Sequence, residues 1–205
     1  MLEAAGIILS GGKNSRMRAN KAFLTVGEQR IIDKTVFLFK RIFPQVIVVT
    51  NQPEAYAYLG VELARDRVLG MGPLSGMEAG LKVSSYFYNF LVACDMPFIN
   101  SRFIELLLER TVDEKGQTYD VVIPRMADGR LQPLYAVYSK NCLAPIKACL
   151  DRGISKILEF YTQIRIRYVE EAELAAYGDV KATFFNVNTP DDLTKAQAMA
   201  QLLGD

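Results

Sequence analysis

Short apolar runs rich in β-branched residues alternate with longer stretches of helical period along most of this chain. AAGIIL at 4–9, QVIVVT at 45–50, VELAR at 61–65, YNFLVA at 88–93 and YDVVIP at 119–124 read as strands. The first, second and fourth are almost continuously apolar, as strands covered on both faces are. Between them, Ile31, Ile32, Thr35, Val36, Leu38, Phe39, Ile42 and Phe43 recur at helical spacing over 31–43. Residues 74–83 and 102–110 read as helices on similar grounds, the second with Ser101 as its N-cap. Such alternation predicts an α/β fold, a Rossmann-like three-layer sandwich on a mostly parallel, mixed central sheet. Ligands are then expected beyond the carboxyl ends of the strands.

After residue 125 the rhythm changes. LQPLYAVYS (131–139) follows an Asp128-Gly129 turn signal and is expected to pair antiparallel or to lie at an edge. A helix is expected around 140–151, then a short helical piece and a strand near 164–169. FFNVN leads into a last helix opened by Thr189 or by the Pro190-Asp191-Asp192 turn. No repeat, linker or low-complexity stretch interrupts the chain, so one domain spanning 1–205 is the economical reading.

Composition narrows the chemistry. Half of the 205 residues are hydrophobic, enough for a sizeable core, and the net charge of +1 is spread without a like-charged block. That balance argues against a nucleic-acid partner, which usually meets a basic stripe. The opening MLEAAGIILSGG is short, lacks a basic leader and runs into glycines, so it reads as a buried strand rather than a signal peptide or membrane anchor. Cys94, Cys142 and Cys149 are an odd number without metal-like pairing, as expected for reduced thiols in the cytoplasm, the last two as core residues. There is no histidine, which removes imidazole triads, proton relays and histidine zinc sites. Chemistry here falls to carboxylates, Lys, Arg, backbone amides and a metal held by oxygen.

The most informative segment is LSGGKNSRMRANKAFL at 9–24, directly after the first strand. Gly11 and Gly12 free the backbone to turn and to present amides, while Lys13, Arg16, Arg18 and Lys21 gather positive charge. A glycine-rich basic loop at a strand end suits a triphosphate, though an ordinary solvated turn has the same composition. It is not a Walker loop, because the Gly-Lys-Ser/Thr ending is missing. Asp95, in CDMPF, leaves the sheet directly after YNFLVA, where a carboxylate can hold a hard cation or simply cap a turn. Asn51 and Asp66 each close a strand; alone, both read as turn formers. Gly72-Pro73-Leu74-Ser75-Gly76 either starts a helix or allows close approach of a base or sugar. Gln132 and Pro133 open a strand, and Asn186 and Asn188 would share a face if their stretch were extended.

LSGG-x-x-S-R-M followed by N-K-A-F-L resembles the signature loop of GlmU-like nucleotidyltransferases, and its Gly-Gly resembles the molybdenum cofactor guanylyltransferase branch. The resemblance continues through GMGPLSGMEAGL (70–81), CDMPF (94–98), RLQPLYAVY (130–138) and FFNVNTPDDL (184–193), in the family's order over essentially the whole chain. It implies transfer of GMP from GTP to molybdopterin with Mg²⁺ held by Asp95, the triphosphate neutralised by Arg16 and Lys21. Leu9, Ser10, Gly11, Gly12, Lys21, Asn51, Asp66 and Asp95 are then expected at the nucleotide, in a part spanning 1–124. Gln132, Pro133, Asn186 and Asn188 are expected at the acceptor, in a part spanning 125–205. Other cofactor-biosynthesis proteins and molybdoenzyme chaperones are the expected protein partners. The family usually carries Met-Gly-x-Asp-Lys where this chain has Met17-Arg18-Ala19-Asn20-Lys21; Lys21 itself is kept. Still open at this level are a cytidylyltransferase or sugar-phosphate nucleotidyltransferase of the same fold, and a non-catalytic nucleotide-binding adaptor.

Overall fold

A computed structural model describes residues 2–11, 20–66 and 71–204. Strand β1 (Ala5–Leu9) is followed by a small hairpin of β2 (Thr25–Val26) and β3 (Gln29–Arg30), then α1 (Ile31–Ile42), β4 (Gln45–Val49), α2 (Pro53–Tyr56) and β5 (Glu62–Ala64). Next come α3 (Gly72–Val83), β6 (Tyr88–Ala93), α4 (Ser101–Glu109), β7 (Val121–Arg125) and β8 (Tyr135–Ser139). The chain ends with α5 (Leu143–Asp151), β9 (Ile166–Glu170), α6 (Glu171–Ala175), α7 (Val180–Thr183) and α8 (Pro190–Leu203).

One 7-stranded sheet in the order β5-β4-β1-β6-β8-β7-β9 organises these elements. Only β8 runs against the others, pairing antiparallel with both β6 and β7. The expected antiparallel strand is therefore present, but in the interior of the sheet rather than at an edge. Its Tyr135–Ser139 run is buried at every position, which an edge strand would leave half wet. It also starts at Tyr135 instead of Leu131, because Pro133 has no N–H to give a ladder. The turn expected at Asp128-Gly129 is there, with Gly129 at φ 83° and the Met126 N–H donating to the Arg130 carbonyl.

Alternate residues of each central strand face opposite sides, and the helices cover both. Ile8, Val48, Phe90 and Val92 pack with Ile32, Val36, Phe39, Phe103 and Leu107 of α1 and α4. On the other face, Ile7, Leu9, Ile47 and Leu91 pack with Leu74, Met77, Leu81 and Ile146 of α3 and α5. The three layers follow from that division. Cys142 and Cys149 are buried free thiols in the second cluster. Helix α8 docks through Ala196 and Ala200 onto Val26, Ile31, Phe98 and Val187.

The helix ends explain two boundaries. Asn100, not Ser101, caps α4, its side-chain oxygen accepting from the Arg102 N–H, so Ser101 becomes the first helical residue. Thr189 caps α8 in a reciprocal box with Asp192, and Pro190 occupies the first turn. No helix among the described residues is long and apolar enough to cross a membrane.

Candidate active site at the strand ends

Register puts the carboxyl ends of four parallel strands side by side. Leu9 is level with Val49 and with Ala93, and Val49 with Ala64. The residues that follow these strands, Ser10 and Gly11, Asn51, Asp66 and Asp95, therefore line one rim. Gly12 and Arg16 lie outside the described residues.

Lys21 is the meeting point on this rim. Asn20 caps the short 3-10 turn Lys21–Phe23 by accepting from the Ala22 N–H, which holds Lys21 at the start of the turn. The Lys21 Nζ donates to Asn188 Oδ1 at 2.5 Å and faces Asp95 Oδ2 at 3.2 Å. Those partners lie 167 and 74 positions away in the chain, so folding alone brings them together. The Lys21 and Asp95 side chains keep 23% and 18% of their surface exposed, which leaves the pair open to a ligand. The Val187 N–H donates to the Asp95 carbonyl at 2.9 Å, fixing the segment before α8 against the end of β6.

Asp66 forms a second focus. Its Oδ1 is buried without a hydrogen-bond partner, and a Cβ on Gly76 would stand 3.1 Å from that oxygen. A Cβ on Gly11 would come within 3.8 Å of the other oxygen. Glycines at 11 and 76 thus leave space around a carboxylate that an alanine would narrow. Burial pushes the Asp66 pKa up, opposed by the Asn51 side chain, which favours the ionised form. Ser75 Oγ, in the first turn of α3, is also buried without a partner.

Gln132 and Pro133 lie beside this rim. The Gln132 N–H donates to the Pro124 carbonyl, and the next residue after Pro133, Leu134, accepts from the Ala93 N–H at 3.0 Å, one position before Cys94-Asp95. The Pro133 carbonyl accepts from the Tyr138 hydroxyl at 2.7 Å. Asn186 and Asn188 have different partners. The stretch around them is no strand, and Asn186 donates to its own neighbour Phe184 while Asn188 turns to Lys21. Burial, helped by the neighbouring Asp95 charge, pushes the Cys94 thiol up to about 11, so it stays protonated and is no nucleophile at neutral pH.

Sequence reasoning missed Tyr56. It ends the four-residue helix α2, is fully buried, and its hydroxyl meets Ser10 Oγ at 2.5 Å and Asn20 Nδ2 at 2.8 Å. The only signal was Pro53, a helix starter, too little to bring a tyrosine to the first loop.

No cluster of three or more His, Cys, Asp or Glu that could cage a metal occurs among the described residues. The single carboxylate of Asp95, at the end of β6, still fits Mg²⁺, which is commonly held by one or two carboxylates together with substrate phosphates and water.

Residues 6–167 match the family described as the MobA-like NTP transferase domain. A probable molybdenum cofactor guanylyltransferase from Pelotomaculum thermopropionicum is 41% identical over 201 residues, 98% of this chain and 95% of that protein. A protein of the same description from Peptoclostridium acidaminophilum is 32% identical over 203 residues, 98% of this chain and 91% of that one. The crystal structure of molybdopterin-guanine dinucleotide biosynthesis protein A from Archaeoglobus fulgidus shares the fold, with a TM-score of 0.80 at 24% identity, covering 97% of this chain and 99% of that one.

Proposed function

This chain belongs to the MobA-like NTP transferase family, and from that premise we propose that it transfers GMP from GTP to the terminal phosphate of molybdopterin. An oxygen of the acceptor phosphate attacks the α-phosphorus of GTP, a new P–O–P bond forms, and the bond from the α-phosphorus to the α,β-bridging oxygen breaks, so that this oxygen leaves with pyrophosphate. The nucleophile is already an anion, so a chain without histidine needs no general base. What the step demands is that two anions be held in line and that charge on the leaving group be offset.

The observation that carries this reading is the convergence of Lys21, Asp95 and Asn188 on the rim. Lys21 neutralises the polyphosphate, joined by Arg16 from the first loop. Leu9, Ser10, Gly11 and Gly12 line the phosphates and base; the Ser10 N–H is held by the Val49 carbonyl, so Ser10 contributes there through its side chain. Asp95 is the residue that would hold Mg²⁺, which when bound supplies positive charge against the phosphate oxygens. Asp66, with its unpartnered oxygen beside Gly76 and its other oxygen toward Gly11, reads the base. An ionised carboxylate only accepts, and guanine offers it the N1–H and the 2-amino group side by side, whereas cytosine offers one amino group beside acceptors. Asn51 supports Asp66. Gln132 and Pro133, set beside the end of β6, and the Asn186–Asn188 segment contact the pterin, so that residues 1–124 serve the nucleotide and 125–205 the acceptor.

Pyrophosphate release measured with molybdopterin, Mg²⁺ and each of GTP, ATP, CTP and UTP tests the reading. GTP is expected to be the productive donor; preference for CTP would assign a cytidylyltransferase, and silence with every nucleotide a non-catalytic adaptor. In the same assay Asp95→Ala is expected to lower turnover by about a hundredfold or more, the scale of losing one electrostatic contact to the transition state. Its circular dichroism should match the wild type, and wild-type rates in this variant would remove Asp95 from the machinery.

A further inference from the structure

The loop that joins β1 to Lys21 is fastened at both ends by one side chain. Ser10 is its first residue and Asn20 its last before the 3-10 turn, and both reach the Tyr56 hydroxyl, at 2.5 Å and 2.8 Å. Tyr56 is itself immobilised: it is fully buried, and its ring lies 4.9 Å from that of Phe23, two residues beyond Lys21.

The direction of the Asn20 hydrogen bond follows from a single fixed donor. The Ala22 N–H can only donate, so the Asn20 atom facing it at 3.2 Å is the amide oxygen. The amide nitrogen then faces Tyr56 and donates to the phenol oxygen. The same hydroxyl bonds Ser10 Oγ, a contact in which either oxygen can donate, and it is also within reach of the Thr50 side chain. One hydroxyl thus joins Asn20 to Ser10.

We propose that Tyr56 is a positioning residue for nucleotide binding: by hydrogen bonding to both Asn20 and Ser10 it clamps the two ends of the first loop and fixes where the Lys21 ammonium stands. This rests on the reading of Lys21 as the cation that meets the triphosphate. It also accounts for Asn20, since a neutral amide can cap the Lys21 turn and feed Tyr56 with the same group.

The test is equilibrium binding of GTP to the full-length protein, together with steady-state pyrophosphate release. Tyr56→Phe deletes the hydroxyl and little else. It is expected to weaken GTP binding and raise the KM for GTP about tenfold, the worth of a hydrogen-bonded contact, while the KM for molybdopterin stays put. In a Lys21→Met background the same change should cost less than about twofold, because it acts through Lys21. Asn20→Ala should reproduce the loss. Asn20→Asp should stay within about twofold of wild type, since a carboxylate still accepts from the Ala22 N–H and takes the Tyr56 proton, while the Ser10 hydroxyl donates to the Tyr56 oxygen.

Unchanged GTP affinity in a folded Tyr56→Phe protein, or a loss just as large in the Lys21→Met background, overturns the proposal. Should Tyr56→Phe fail to fold, the Asn20→Ala and Asn20→Asp pair decides: equal losses reject the clamp. A wild type that binds no nucleoside triphosphate rejects the transferase reading and the clamp with it; one that binds GTP indifferently to Tyr56 rejects the clamp alone.

Discussion

Asp66 sets binding against stability at a single residue. Its buried Oδ1 has no partner, and burial holds its pKa above that of an ordinary carboxylate. Because the folded-state pKa exceeds the unfolded one, folding favours the protonated form. Stability from this group is intact below the unfolded pKa and is lost as the pH rises through the folded value. Asp66→Asn should therefore raise the urea midpoint of the ligand-free protein at neutral pH, with the gain fading toward acid. The same variant should bind GTP about tenfold more weakly, or worse, since it trades an acceptor for a donor facing the base. A midpoint that drops at pH 7, with GTP affinity intact, would show that Asp66 is a structural residue. That Asp66 and Asp95 share a rim was legible because each follows a strand. Their roles were not, since alone Asp66 reads as a turn former and Asp95 as a cation holder or a turn cap, and only the family resemblance points to the nucleotide. Tyr56 was not legible, because no periodicity connects a four-residue helix to a loop 36 and 46 positions earlier in the chain.

Helix α3 shows what close packing demands of an element. Gly76 and Gly80 lie four apart on the face turned to the sheet, and a Cβ at Gly80 would stand 2.7 Å from Ile7 Cγ2 and 3.1 Å from Val49 Cγ2. Ile and Val are stiff at χ1, and both sit in buried strands, so neither gives way easily. Alanine at position 80 gains up to about 1 kcal/mol of helix propensity, while overpacking costs about 1–3 kcal/mol. The clash wins, and Gly80→Ala should lower stability in urea unfolding by about 1 kcal/mol or more. A more stable variant would mean that α3 has room to lift. At this scale the long elements were readable because each combines a strong period with a clear stop: α1 ends within one residue of its expected boundary, and β6 coincides with YNFLVA. The hairpin of β2 and β3, with two residues per strand, and α2, α6 and α7 escaped notice because four or five residues carry too little periodicity. The interior place of β8 escaped for another reason: a run of apolar residues states that a strand is covered, not which neighbours cover it.

For the whole molecule, β8 decides how the early and late parts of the chain depend on each other. It inserts between β6 and β7, so a strand from beyond residue 125 completes the hydrogen bonding of β6 and carries β7 and β9 on its far side. Both principal clusters mix the parts: Val137 and Val169 share one with Ile8 and Phe90, and Ala136 and Ile146 share the other with Ile7 and Leu91. The site crosses the same line, since Asn188 and Val187 reach back to Lys21 and Asp95. Removing the late part would expose one edge of β6 and part of both cores at once, a loss that a marginally stable chain does not survive. Urea unfolding should therefore be one cooperative transition, with the backbone signal in circular dichroism and the tyrosine fluorescence falling together; the 10 tyrosines serve as probes because the chain has no tryptophan. GTP with Mg²⁺ should move both curves to higher urea by the same amount, since a ligand that binds only the folded state stabilises whatever unfolds with its site. Two separated transitions, with only the earlier one moved by GTP, would mean that the nucleotide half folds by itself and that β8 joins a sheet already formed.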